Sequence, residues 1–145
     1  MRGRVLRLAA FILVLCAPGW AKAGDPAASD ADAAAIQGVI SDQLSAFLHD
    51  DGAAAFSYAS PTIQTYFHDP DTFMQMVRTG YQPVYRARGV EFRDLGMVEN
   101  RLIQQVYMTG SDGIPVLALY EMQRQPDGSW RINGVSIARA PDQGV

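Results

Sequence analysis

The sequence predicts an α+β fold in which N-terminal helices pack on a strongly curved antiparallel sheet. Apolar residues from Ile36 to about Gly80 recur at the 3.6-residue spacing of helical faces. Beyond Tyr81 the period changes to two, which is typical of half-buried strands. Helices followed by a run of antiparallel strands indicate a layered domain, with the helices on one face of the sheet.

The first 23 residues have the pattern of a cleavable signal peptide. Basic residues without any acid precede an apolar run from Leu8 to Trp20. That run is too short to span a bilayer, which takes about 20 residues. Small side chains at Ala21 and Ala23 favour cleavage after Ala23. We therefore expect a periplasmic or secreted protein with no stable membrane anchor.

Acylation at Cys16 is the alternative, although Leu15 directly before this cysteine argues against it. Removal of residues 1–23 leaves eight basic and fifteen acidic residues, a net charge of −7, and no cysteine. This charge opposes binding to nucleic acid or anionic lipid. The absence of cysteine from the rest of the chain excludes disulfides, a thiol nucleophile and thiolate metal ligands there. We expect no cofactor.

Residues 24–32 are small and acidic and predict a flexible linker. A single domain is expected over residues 33–140, with a tail at 141–145. The first helix carries its apolar face on Ile36, Val39, Ile40, Leu44, Phe47 and Leu48. Ser29, Asp30 and Asp32 are each suited to cap its start.

Proline and aspartate divide the next segment into three shorter helices. A helix over 53–59 follows Asp50 and Asp51, either of which can cap it. Ser60-Pro61 ends that helix and begins another over 62–67, because proline is disfavoured inside a helix and favoured in its first turn. Asp69-Pro70 repeats the pattern before a helix over 72–79, which Gly80 is expected to end in a left-handed conformation.

Four strands are expected after the helices. Val90 and Phe92 alternate with polar residues, and strands over 102–108, 116–123 and 130–137 follow. Ser111-Asp112-Gly113 and Pro126-Asp127-Gly128 supply turns. Asn133-Gly134 predicts a bulge in the last strand.

The order of several short motifs resembles a bacterial family of unknown function, catalogued as domain of unknown function 4864. The motifs are Ala55-Phe56, Ser60-Pro61, Met76-Val77, Gly80-Tyr81, Tyr85-Arg86 and the segment from Trp130 to Val135. The resemblance covers roughly residues 34–138 and implies the cone-shaped fold of the nuclear transport factor 2-like (SnoaL-like) superfamily, with a pocket between helices and sheet. The family provides no catalytic residue to carry over.

Aromatic residues are the candidates for ligand binding, although they are equally good core residues. The candidates are Tyr58, Tyr66, Tyr81, Tyr85 and Trp130, together with Arg86. The segment 81–86 is expected to cross the mouth of the cone. There Arg86, near Arg88, either clamps an anion or pairs with Glu91 or Asp94.

Glu121 and His68 are the candidates for a catalytic base. Glu121 lies opposite Tyr120 on a strand, so it is either a buried carboxylate in the cone or an outer acid paired with Arg101 or Arg131. His68 and His49 each follow a predicted helix, where a helix-end role competes with catalysis. No histidine spacing supports a metal site, and no serine lies in a nucleophile elbow.

These observations predict an exported, non-catalytic module that binds a small apolar or anionic ligand or another protein. A pocket enzyme of the isomerase, cyclase or hydratase type and a structural envelope component are the alternatives. A homodimer through the uncovered sheet face is expected, with Leu102, Val106, Leu117 or Leu119 on that face.

Overall fold

The computed structural model describes residues 28–140, and the predicted signal peptide and the tail at 141–145 lie outside this range. Five helices come first: α1 (Asp30–Leu48), α2 (Gly52–Ser57), α3 (Pro61–Phe67), α4 (Pro70–Gly80) and α5 (Gln82–Tyr85). Four strands follow: β1 (Arg88–Val98), β2 (Arg101–Thr109), β3 (Pro115–Arg124) and β4 (Trp130–Arg139). The predicted α+β class is confirmed.

Side-chain caps set the starts of the first four helices. The sequence predicts cap candidates for α1 and α2, and for α3 and α4 it predicts the helix start from the proline. Ser29 caps α1 in a reciprocal capping box with Asp32. Asp51, Ser60 and Asp69 cap α2, α3 and α4, each accepting a hydrogen bond from a backbone N–H three residues later. Because of its capping box, α1 begins at Asp30, inside the segment that the sequence predicts to be a linker.

Two local predictions for the helices were wrong, and one helix was missed. Leu48 is exposed, because it lies at the margin of the apolar stripe of α1, where no other element covers it. Gly80 does not form a left-handed cap, because the Tyr81 N–H still bonds the Val77 carbonyl and α5 begins at the next residue. The short helix α5 was not predicted at all.

The sheet is an antiparallel meander in the order β1-β2-β3-β4. Glu99 and Asn100 join β1 to β2 with positive φ angles of 48° and 62°, as a two-residue hairpin turn requires. The register of β3 and β4 shifts between Glu121 and Met122, which confirms the bulge predicted at Asn133. Beyond the bulge, β4 continues to Arg139.

Strand alternation gives the sheet an inner face under the helices and an outer face. Leu102, Val106 and Tyr120 lie on the inner face and are buried against α1 and its neighbours. The prediction that Leu102 or Val106 lies on the outer face was therefore wrong. Leu117 and Leu119 alternate with the buried residues and lie on the outer face, where they are half-buried.

A short parallel bridge attaches the helical layer to the edge of the sheet. The Ser60 N–H donates to the Ile132 carbonyl at 2.8 Å, and the Ile132 N–H donates to the Tyr58 carbonyl at 2.9 Å. The Ser60 hydroxyl donates to Asn133 Oδ1 at 2.7 Å. These bonds fix the start of α3 beside β4. Over residues 28–140, no helix is long and apolar enough to cross a membrane.

Candidate functional site

A cavity of about 480 Å³ lies between the helices and β4. Helices α1, α3, α4 and α5 contribute to its walls, and so does the edge strand β4. Its lining residues are Gln43, Phe47, Ala59, Thr62, Ile63, Tyr66, Phe67, Phe73, Met76, Val77, Tyr81, Val84, Ile132, Gly134 and Val135. This volume is in the usual range for small-molecule sites, which is about 300–1,000 Å³.

No charged side chain of the described residues lines this cavity, and its polar side chains are few. They are the amide of Gln43 and the hydroxyls of Thr62, Tyr66 and Tyr81. An ionised ligand would lose its hydration in such a site without gaining an opposite charge. The lining therefore suits an uncharged, mainly apolar molecule.

Helix α3 forms the outer wall of the cavity and is the least buried of the helices described. None of its residues is fully buried, and Ile63 and Phe67 are only half-buried because they face the cavity. Phe67 packs edge-on against Phe73 with ring centroids 5.7 Å apart. The Gln64 amide donates to the carbonyls of Phe56 and Ala59. A few specific contacts thus hold α3 over the cavity.

Gln43 is the polar residue buried deepest in the cavity wall, at 3% exposed. Its Nε2 donates to the carbonyl of Ala55, within the short helix α2, at 3.1 Å. Our sequence analysis missed Gln43. The available signal was its place on the apolar stripe of α1, three residues after Ile40 and four before Phe47, since a polar residue on such a stripe is informative.

The six ligand-binding candidates do not form one site. Tyr66 and Tyr81 line the cavity, with Tyr66 75% exposed at its mouth. Tyr58 and Trp130 border a separate groove of about 370 Å³ beside the start of α1. Tyr85 and Arg86 line neither space and belong instead to a polar cluster at the end of α1.

In that cluster, Asp50 bonds residues from two later elements. The Tyr85 hydroxyl and Arg86 Nη2 both donate to the Asp50 carboxylate, the latter at 3.0 Å. Arg78 Nη2 lies 3.7 Å from the same carboxylate. The hydrogen bond from Tyr85, followed by the bond and charge of Arg86, lowers the pKa of Asp50. The Tyr85 hydroxyl also raises the pKa of Arg78.

Arg86 uses its guanidinium to tie the α5–β1 link to α1. Nη1 donates to the Phe47 carbonyl, near the end of α1, and the guanidinium carbon lies 3.9 Å from the centre of the Tyr85 ring. Neither Glu91 nor Asp94 pairs with Arg86, so that part of the prediction was wrong. The predicted anion clamp stays a prediction, and its donors are engaged within the protein.

The groove beside α1 is built around Asp32. Arg124 Nη2 and Trp130 Nε1 both donate to Asp32 Oδ1, the latter at 3.3 Å. The Ser29 N–H and hydroxyl bond Oδ2 at 3.0 and 2.9 Å. These bonds, the Ser29 backbone bond first, lower the pKa of Asp32. The carboxylate thus joins α1 to the β3–β4 hairpin.

The two candidates for a catalytic base lie outside the cavity lining. Glu121 is on the outer face, where it accepts from Asn133 Nδ2 at 2.9 Å and pairs with Arg101 Nη1 at 3.4 Å. Of the two partners considered for it, Arg101 rather than Arg131 is the one observed. His68 is an exposed C-cap of α3 with a positive φ of 69°. No cluster of metal ligands occurs within residues 28–140.

Residues 29–145 match the family model described as Domain of unknown function (DUF4864). This match covers all but the first of the described residues and confirms the family on which the sequence motifs converge. No curated protein and no solved structure matches the chain. The relation to the nuclear transport factor 2-like superfamily stays a prediction.

Proposed function

Because the chain belongs to the DUF4864 family, whose description gives no ligand or reaction, we propose its function from its own cavity. The domain is a non-catalytic binding module that holds a small, uncharged and mainly apolar molecule. The observation that carries this proposal is a cavity of about 480 Å³ with no charged side chain among its described lining residues. Sites of this kind are typically apolar with a few polar groups that fix orientation.

Catalysis by a carboxylate or histidine has less support from the geometry. A general base must come within hydrogen-bond reach of the proton that it removes. Glu121 lies on the outer face of the sheet and His68 is an exposed helix cap, and neither lines the cavity. The isomerase, cyclase or hydratase alternative would therefore need tyrosine hydroxyls alone to move protons.

Self-association through the outer sheet face is a second proposal, supported by a different observation. Ile103, Tyr107, Leu117 and Leu119 alternate with buried residues on β2 and β3 and are half-buried on the outer face. They form a mainly apolar stripe, in which Gln105 lies opposite Leu119 and Glu121 opposite Ile103. Apolar surface of this kind on a sheet is typical of protein contacts. A second copy of the chain presents the same stripe.

The binding proposal is tested with N-phenyl-1-naphthylamine, a neutral probe whose fluorescence rises in apolar sites. Purified protein is titrated with the probe alongside two variants, Ile63→Trp and Leu48→Trp. Ile63 lines the cavity, and a larger side chain there fills it. Leu48 is 51% exposed on α1, so the same residue type there leaves the cavity open.

Saturable binding that Ile63→Trp weakens and Leu48→Trp preserves is the expected result. An unchanged titration for Ile63→Trp would place the probe elsewhere. No saturable binding by the wild-type protein would refute the proposal.

A further inference from the structure

We infer that Gln43 recognises the polar end of the ligand, and that this end is a hydrogen-bond donor such as a hydroxyl. The inference rests on the proposed function and narrows it. The ligand class becomes an uncharged apolar molecule with one hydroxyl that enters the cavity first.

The side-chain amide of Gln43 has one of its two N–H donors bonded, and its acceptor oxygen has no partner among the described residues. Nε2 donates to the Ala55 carbonyl at 3.1 Å, whereas Oε1 accepts no hydrogen bond from any described residue. Oε1 is not among the fully enclosed atoms that lack a partner, which are Gln104 Oε1 and the Tyr120 hydroxyl. With Gln43 lining the cavity, its oxygen is open to that space.

An acceptor in this position selects the chemistry of the ligand. The amide oxygen needs an O–H or N–H donor. A ketone or ether can only accept from the second Nε2 hydrogen and leaves Oε1 without a partner, whereas a hydroxyl can donate to Oε1. A hydrocarbon would bury Oε1 without a partner, which costs free energy. Carboxylates and ammonium groups are disfavoured as well, because the lining described has no opposite charge to receive them.

The positions of the polar groups set the orientation of the ligand. Gln43 is 3% exposed, whereas Tyr66 at the mouth is 75% exposed. Between them the walls are mainly apolar, including Phe47, Phe73 and Val77. The ligand's hydroxyl therefore lies at the inner end, and its apolar body extends along the cavity toward α3. Since a cavity of about 150 Å³ holds benzene, the present volume accommodates a two-ring body.

The test compares three molecules with the same two-ring body: naphthalene, 2-naphthol and 2-methoxynaphthalene. Each displaces N-phenyl-1-naphthylamine from the wild-type protein. We expect 2-naphthol to bind roughly tenfold more tightly than both others, the advantage of one satisfied hydrogen bond. The methyl ether keeps the oxygen but lacks the donor, so it separates donor recognition from polarity.

Two variants assign the preference to a residue. Gln43→Met keeps the size of the side chain and removes the amide, and we expect it to abolish the preference for 2-naphthol. Gln75→Met makes the same substitution at an exposed glutamine of α4 that does not line the cavity, and it should leave the preference intact. If Gln43→Met does not fold, because Ala55 loses its donor, the three-ligand comparison on the wild-type protein still decides the ligand class.

Equal affinities for the three molecules would refute the inference and leave the proposed function standing. A preference that survives in Gln43→Met would refute the role of Gln43. If the fluorescent probe itself does not bind, the proposed function fails, and the inference fails with it.

Discussion

Gln104 on β2 and Tyr120 on β3 are direct cross-strand partners, and each has one fully enclosed polar atom without a hydrogen-bond partner among the described residues. Gln104 uses its Nε2 to bond the carbonyls of Arg93 and Asp94, at 3.0 and 3.4 Å, where the β1–β2 register is irregular. Its amide thus compensates for ladder bonds that the bulge removes. The Tyr120 hydroxyl has no such compensation.

Replacing Tyr120 by phenylalanine is therefore expected to leave stability unchanged or raise it by about 1 kcal/mol, because a buried hydroxyl without a partner costs free energy. Urea denaturation of both proteins at neutral pH measures the difference. A loss of stability beyond about 1 kcal/mol would show that the hydroxyl does form a hydrogen bond.

The free energies of unfolding of the wild type and of Tyr120→Phe should diverge at alkaline pH. Burial raises the pKa of Tyr120 well above its ordinary value. In the unfolded chain this hydroxyl ionises near its ordinary pKa of about 10, so rising pH favours unfolding from there upward. The Tyr120→Phe protein should lose less stability between neutral pH and about pH 11. Tyr66→Phe, at an exposed tyrosine, serves as the control and should follow the wild type.

Truncation of Arg86 to alanine should lower stability by about 1–2 kcal/mol, because it removes a bond to the end of α1 and the stacking on Tyr85. Arg88→Ala is the matched control. Arg88 is exposed and makes no side-chain bond within the described residues, so we expect little change. Thermal unfolding gives the stabilities, and probe titration should show unchanged affinity for both variants. Weakened binding with an unaltered melting temperature would instead support the ligand-contact role.

His68→Gly should raise stability by about 1 kcal/mol, because a side chain at positive φ is strained and glycine is not. His49 also caps a helix, but its φ is −96°, so His49→Gly should destabilise the protein. Chemical denaturation of the two variants provides the comparison. If His68→Gly is instead less stable, the contacts of the imidazole stabilise the protein by more than the backbone strain at this residue destabilises it.

Because of the mainly apolar stripe on the outer sheet face, we expect the protein to form a dimer. Leu119→Glu places a charge at the centre of the apolar stripe and should give a monomer, since an unpaired charge opposes burial in an interface. Leu48→Glu changes an exposed leucine on α1 and should leave the assembly unchanged. Light scattering over a range of concentrations measures both. A wild-type monomer at the highest concentration would exclude self-association through this face.

The predicted export is tested on protein recovered from the periplasm or the medium. We expect its N-terminus to be Gly24, since Ala21 and Ala23 supply the small side chains before the cut. Intact-mass measurement distinguishes this form from the uncleaved chain and from a form acylated at Cys16. Either of those masses would contradict the prediction.

Local interactions account for what the sequence by itself determined. Ser29, Asp51, Ser60 and Asp69 each cap a helix within three residues of their own position, so the starts of four helices were accessible from short motifs. Strand alternation likewise identified Glu121 and Tyr120 as residues of opposite faces. Both kinds of signal depend only on neighbours along the chain.

Tertiary structure alone decided which residues meet. Arg86 bonds Phe47 and Asp50, which lie 39 and 36 positions earlier in the chain. The aromatic candidates separate into a cavity, a groove and a polar cluster. The sequence places Gln43 on the apolar stripe of α1, but only the packing of α2, α3 and β4 shows that it lines a cavity. Short motifs carry no information on contacts between residues far apart in the chain. The cavity wall is formed by several helices and a strand, so its residues are known only from how all of these elements pack together.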